Sequence, residues 1–336
     1  MSRGAVGSSL LWRLVLVTAA VIWGGSFFIL KDTLDVMPVC YLLAVRFLLS
    51  GVLLGLCFVG HMRRHHDRGH VWRGCVMGLF LFCAYWLQTV GLTDTTPGKN
   101  AFLTAGYCVI VPFLHWIVAR DRPDVCNILA AVLLVAGVGF VSLSGDLTLH
   151  FGDMMTVCSA FFYAVHIVCT ARFSKDRDVV VLTVFQFLTV GACAAVVSLL
   201  VETPPAASVW TAPVVGSMFY LVVLATVVAL LLQSVGIQHV HPSTASILLS
   251  LESVFGVLFS ILFAGEQLTG KLVLGFALIF CAVLVSETKP AFLLRLGGGG
   301  GTGGAARGDA GLTEELDEAA LAEGVGREDG HKEVDV

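Results

Sequence analysis

The sequence predicts an all-α integral membrane protein whose ten transmembrane helices form two inverted five-helix repeats. Three observations predict it. Hydrophobic residues make up 57% of the 336-residue chain and charged residues only 13%, about half the charged share of a soluble domain. The apolar runs last about twenty residues, the length that takes an α-helix across the hydrocarbon core; a membrane β-barrel would alternate over about ten. The phrase LQTVGLTDTTP at 87–97 returns as LQSVGIQHVHP at 232–242.

The spans fall at 12–30, 38–59, 72–92, 98–118, 125–143, 153–171, 179–201, 214–236, 243–264 and 270–287. The first is too long and lacks the small-residue cleavage site of a secretory signal, so it is a helix. Basic residues set the orientation. One side receives Arg3, Arg13, Arg63, Arg64, Arg68, Arg73, Arg120, Arg122, Arg172, Lys175, Arg177, Lys289 and Arg295, the other only Lys31, Lys99 and Lys271. The bias alternates correctly across all ten spans and puts both termini in the cytoplasm. The cysteines lie in or beside apolar runs without a C-x-x-C pair, which argues for small packing residues rather than disulfides or a zinc site. HMRRHHDRGH at 61–70 carries histidines at metal-like spacing, but a basic cytoplasmic loop already explains it. No metal or cofactor is expected, and no nucleic-acid partner.

Across the repeated phrase the register holds without a gap. Gln88, Val90, Gly91 and Pro97 align with Gln233, Val235, Gly236 and Pro242, and Phe47, Leu48 and Gly51 of AVRFLLSG align with Phe187, Leu188 and Gly191 of VFQFLTVG, placing Arg46 opposite Gln186. The first repeat covers 12–143 and the second 153–287. Five spans per repeat is an odd number, so the second copy enters the membrane upside down. Inverted repeats of this kind build secondary transporters that hold substrate near the midplane between the halves. Gly91 with Pro97 and Gly236 with Pro242 mark two short polar turns on opposite sides, candidates for gates or hinges; tight helical hairpins without a moving role explain them equally well. From residue 290 the chain becomes Gly-rich and then acidic, a disordered cytoplasmic tail by composition with one short helical stretch at 312–323.

Three motifs resemble the drug/metabolite transporter superfamily, specifically its EamA-type members. These are IWGGSFFILK at 22–31, PVCYLLAVRFLLSG at 38–51 and STASILLSLESVFGVLFSILFAGEQLT at 243–269. The resemblance covers about residues 12–287. It implies ten helices around a central cavity and secondary transport of small organic solutes, often export of amino acids or other metabolites. The chain departs from the pattern where Ser253 follows Glu252 in place of proline, and where Tyr107 stands at the position matching Glu252.

Charge in a bilayer costs about 2.5–3.5 kcal/mol at a helix centre on insertion scales. Arg46 and Glu252 are the strongly charged residues deep in spans, open to mutual pairing, to a substrate carboxylate at Arg46 and to a coupling proton at Glu252. Asn100, Thr104 and Tyr107 share one face of the fourth span at i, i+4, i+7 spacing. Tyr85 pairs with Gln88, Tyr163 with His166, and Ser246, Ser250 and Ser253 line one face of the ninth span. With Trp23, Gln186 and Gln233 these are the candidate substrate-binding residues, each also open to a purely interhelical hydrogen bond. His115 and Trp116 read as an interfacial belt.

GEQLTGKL at 265–272 imitates a phosphate-binding loop, but Leu272 replaces the required Ser or Thr. Neither HExxH nor G-x-S-x-G occurs, so an enzyme is not expected. The expected function is proton-coupled export of a small metabolite across a bacterial inner membrane. The alternative is a membrane scaffold or sensor whose acidic tail binds a partner.

Overall fold

The computed structural model describes residues 3–65, 67–119, 123–142, 150–173, 177–239 and 242–289. The tail from 290 onward, with its expected short helix, lies outside them. Among the described residues the chain is helical without a strand. In order the helices are α1 (Arg3–Leu34), α2 (Val39–Cys57), α3 (Val59–His65), α4 (Arg68–Thr93), α5 (Pro97–Ala105), α6 (Tyr107–Ala119), α7 (Val125–Ser142), α8 (Phe151–Phe173), α9 (Val179–Val201), α10 (Ala212–Phe219), a π-helical segment Tyr220–Val228, α11 (Ala229–His239), α12 (Pro242–Ala264) and α13 (Gly270–Thr288).

Each expected span lands on helix. Among the described residues six segments are long and apolar enough to cross a membrane alone: Leu10–Leu34, Val39–Cys57, Arg68–Thr93, Phe151–Thr170, Val179–Val201 and Ala212–Gln233. Val125–Val141, Leu248–Ala264 and Gly270–Ser286 are shorter apolar helices. Two expected spans are not continuous α-helix. The fourth divides at Gly106, where the backbone tightens to a Gly106 N–H to Leu103 O bond of 3.2 Å; Pro112 inside α6 further removes a ladder donor. The eighth widens into the π segment between α10 and α11.

The halves meet through contacts that repeat themselves. A Cβ on Gly51 of α2 would meet Leu188 of α9, and a Cβ on Gly191 of α9 would meet Leu48 of α2. These are equivalent positions of the two repeats, and their order shows that α2 and α9 run antiparallel. Phe47 and Phe187, also equivalent, touch edge to face at 5.6 Å between ring centres. The fifth helices do the same. A Cβ on Gly137 of α7 would sit 2.6 Å from Ile279 Cγ1 and 3.0 Å from Gly275 O, and one on Gly275 of α13 would sit 2.6 Å from Val141 Cγ2. Small residues at such crossings let backbones approach where lipid supplies no hydrophobic drive. The remaining crossings exchange in the same sense: α1 lies on α12, and α8 on α5 and α6.

Polar contacts collect at the two ends of the bundle. At one end Glu202, just past α9, accepts the Cys40 and Tyr41 N–H groups at 2.8 Å each. It caps a helix whose own N-cap, Pro38, has no side-chain acceptor. At the other end Asp67 caps α4 through the His70 N–H at 2.8 Å and also holds Arg177. The Asp178 N–H donates to His70 Nε2 at 3.1 Å, so the ring carries its hydrogen on Nδ1, facing Asp67 at 3.0 Å. His61 Nε2 lies 2.7 Å from Asp178 Oδ2. The His70 backbone N–H, helped by Arg177, holds the Asp67 carboxyl well below the usual carboxylate range. Burial pushes Asp178 up, but the Val181 N–H and His61 outweigh it and leave its carboxyl lowered. A lowered carboxyl contributes stability above its unfolded value of about 4 and loses it as pH falls through the folded value.

Three outcomes follow for thermal unfolding of the detergent-solubilised chain. Gly137→Leu should destabilise by about 1–3 kcal/mol because the Ile279 side chain at 2.6 Å, with the Gly275 and Ile279 backbone at 3.0 Å behind it, blocks the added atoms. Gly216→Ala, with nothing within 4 Å of the added Cβ, should be neutral or stabilising by up to about 1 kcal/mol. Asp178→Asn, which keeps a capping side chain but loses the charge, should lower the midpoint between pH 5 and 8. That difference should shrink as pH falls below about 4 and on through the lowered folded value, where the native carboxyl is itself protonated.

Candidate functional site

Arg46 sits on α2 at 2% exposure. Its Nε donates to Thr226 Oγ1 at 2.9 Å. That hydroxyl in turn donates to Leu221 O, five residues back, at 2.7 Å, the spacing a π turn provides. The guanidinium carbon stands 5.2 Å from the Tyr85 ring centre and 5.3 Å from that of Phe47. The π segment is docked from several sides. Trp23 Nε1 donates to Ala225 O at 2.8 Å, Tyr220 donates to Ile22 O at 2.8 Å, and Ser50 Oγ lies 3.1 Å from Val222 O. Trp23 is thus pinned to the π segment by its indole N–H.

A second cluster begins one ring away. Tyr85 and Tyr163 meet at 5.4 Å between centres. The Tyr163 hydroxyl donates to Gln88 Oε1 at 2.8 Å, and Gln88 Nε2 donates to Thr104 Oγ1 at 3.0 Å. Asn100 Nδ2 donates to Gln88 O at 3.1 Å and to Thr156 Oγ1 at 2.8 Å. Thr156 itself donates to Gly152 O, so the Asn100 amide can point only one way, and its Oδ1 is buried without a partner. Tyr107 stacks obliquely on Tyr163 at 6.2 Å and its hydroxyl reaches Glu252 Oε1 at 3.5 Å. Glu252 is 8% exposed. Tyr107 and Glu252 are the equivalent positions of the two repeats, so the pseudo-twofold relation brings them face to face.

Of the sequence-expected residues, Arg46, Tyr85, Gln88, Asn100, Thr104, Tyr107, Tyr163 and Glu252 therefore form one connected group. Arg46 and Glu252 do not pair; among the described residues the ion pairs lie at helix ends. His166 and Gln186 form a pair of their own at 2.7 Å. Ser250 is buried and its carbonyl accepts from Ser253 Oγ at 2.8 Å. Gln233 is half-buried on α11 and, among the described residues, does not touch the group. Sequence reasoning missed Thr226, Thr156, Phe47 and Tyr220. A threonine or phenylalanine within an apolar run carries no periodic signal, and nothing in the sequence marked a π turn.

The turn at 93–98 is held from α1, from α8 and from the connection between α12 and α13. Lys31 Nζ donates to Leu92 O at 2.7 Å and Thr93 O at 2.9 Å. Asp153, fully buried, accepts from Thr95 and lies 3.5 Å from Lys99 Nζ. Glu266 accepts the Gly98 N–H at 3.1 Å and the Thr96 and Ser260 hydroxyls. Pro97 opens α5 behind its N-cap Thr96. Gly91 lies where α4 meets α8 at Thr156, and Gly236 where α11 meets Leu16 of α1; both are close-approach glycines. Pro242 opens α12, and residues 240–241 before it lie outside the described residues. A cavity of about 660 Å³ opens at the clamped turn, bordered by Lys31, Asp94, Lys99 and His150. A second of about 530 Å³ lies beside it against Phe140, Glu266 and Lys271.

The chain is similar to known proteins along most of its length. A protein of Archaeoglobus fulgidus named an uncharacterized transporter is 30% identical over 287 residues, covering 85% of this chain and 89% of that protein. The uncharacterized transporters YoaV and YvbV of Bacillus subtilis are 21% and 23% identical, covering 81% and 82% of this chain and 94% and 91% of theirs. A solved crystal structure superposes with a TM-score of 0.60 at 17% identity, over 85% of this chain and 98% of that one, which supports the fold. The model of the EamA-like transporter family matches twice, at residues 10–143 and 150–288. Those bounds coincide with the two halves that meet antiparallel through α2 and α9, and the chain belongs to the EamA-like transporter family, as a multi-pass membrane transporter.

Proposed function

We propose that this transporter is a ten-span secondary carrier that exports a small organic solute, an amino acid or similar metabolite, in exchange for protons. The observation that supports the reading best is the connected run of polar side chains from Arg46 through Tyr85, Tyr163, Gln88 and Tyr107 to Glu252. It lies where the halves cross, the place at which an inverted repeat holds its substrate. Buried polar groups in lipid carry function or mutual hydrogen bonds; this run contains both a cation and an acid that have not neutralised each other. Arg46, Tyr85, Gln88, Asn100, Thr104, Tyr107 and Tyr163 take the solute, with Trp23, His166, Gln186, Gln233 and Ser250 on the surrounding helices. Glu252 takes the proton. The turns at Gly91–Pro97 and Gly236–Pro242 are the gates. The excess of basic residues beside alternate ends of the spans supports cytoplasmic termini.

Proteoliposomes holding the native chain, given labelled amino acids under an imposed pH gradient, should accumulate solute with the gradient. Glu252→Gln should keep exchange at equal pH and lose the response to the gradient. Absence of flux for every solute would reject the carrier reading, and an unchanged response in the variant would reject the role of Glu252. The gate has its own test. In a cysteine-free background, Lys99→Cys should react faster with a membrane-impermeant maleimide when Glu266 is replaced by Gln, because the turn loses the carboxylate on Thr96 and Gly98. Equal rates would remove the clamp from the gate.

A further inference from the structure

We infer that Arg46 is the docking point for the single negative charge of a monocarboxylate solute. The inference rests on the carrier reading and specifies its substrate class. A buried arginine is costly unless something neutralises it, and this one is 2% exposed at mid-helix. Among the described residues no carboxylate lies within salt-bridge distance of it; the cations Lys99, Arg177 and Lys289 have acids at the helix ends. The one acid in its own polar run, Glu252, faces Tyr107 instead. Ser50 Oγ, with one hydrogen to give, lies 2.8 Å from the Arg46 carbonyl and 3.1 Å from Val222 O.

The arginine has one hydrogen bond, from Nε to a neutral hydroxyl, and two aromatic neighbours. Among the described residues its terminal amino groups meet no acceptor. A guanidinium presents its donors as a flat fork that matches a carboxylate through two parallel bonds. With Nε tied to Thr226, the free prongs are the two terminal nitrogens. One fixed positive charge balances one negative charge. A phosphate dianion would leave a surplus charge in a buried site, which is expensive, so the geometry favours a carboxylate. The equivalent position of the other repeat is Gln186, a neutral amide engaged with His166. The charge is therefore one-sided, and the solute has one anionic end.

The test is calorimetric titration of the purified full-length chain with paired probes. The probes are the twenty common amino acids together with acetate, lactate and benzoate, each beside its primary amide, and inorganic phosphate. At least one acid should bind, and its amide at least about tenfold more weakly, since charge-assisted bonds are about twice as strong as neutral ones. Arg46→Gln should bring that acid down to its amide. Arg46→Lys should fall between, because an ammonium keeps the charge and loses the fork. An amide equal to its acid, binding by none of the acids, unchanged acid binding in Arg46→Gln, or phosphate binding as tightly as the acid would each overturn the inference. If Arg46→Gln does not fold, the acid and amide pairs on the native chain decide alone. Flux of a neutral solute with acid and amide alike would overturn this inference and leave the carrier standing; acid binding without any flux would do the reverse.

Discussion

The crossing of α2 and α9 constrains the rest of the molecule. Lipid tails gain nothing by expelling one apolar helix onto another, so these helices hold through fit alone. The fit is reciprocal: glycine of one repeat under leucine of the other, then the same pair reversed, with Phe47 against Phe187 between them. A contact of this form works only if the helices run antiparallel and the repeats stay in register. With that crossing set, the fifth helices must meet in the same reciprocal way, and α1 must reach α12 as α8 reaches α5 and α6. Glu202 and His61, each just beyond one of the two crossing helices, then fasten the start of the other.

Chemistry enters where the two halves stop matching. Arg46 faces a glutamine in the other repeat, Tyr107 a glutamate, and the π segment lies in a stretch whose counterpart in α4 is ordinary α-helix. Each departure is local and buried. The shared positions named here join the helices, and the unshared ones carry charge, a hydroxyl or the π winding. A duplicated scaffold thus keeps its joints symmetric and frees its interior to be one-sided.

Much of this was legible from residue order. Span positions, the repeat and the depth of Arg46 and Glu252 depend on hydropathy and alignment, which a single chain displays directly. The faces shared by Asn100, Thr104 and Tyr107 and by Tyr85 and Gln88 also followed, because polar residues at helical spacing share a face; that Tyr163 joins them and His166 does not depended on packing. What stayed hidden depended on contacts between distant segments. Thr226 matters because Arg46 lies across from it 180 residues away in sequence. Thr156 matters because a glycine at 91 lets α4 approach it. The π turn left no mark in YLVVLATVV, whose residues suit either winding. The pairing of Arg46 with Glu252, reasonable from their rarity, gave way to Tyr107, which stands at the symmetry-matched position.

The π segment has a consequence for how the eighth span can move. Each of its turns holds one residue more than an α turn, so it stores slack in the backbone ladder. Tightening one turn would swivel everything beyond it by about 100°, the angle one residue occupies around an α-helix. Thr226 would leave Arg46, Ala225 O would leave the Trp23 indole, and Gly236 would turn away from Leu16. A single slipped hydrogen bond would then loosen the charged centre and shift a turn at the far end of the same rod in one stroke, without bending any helix.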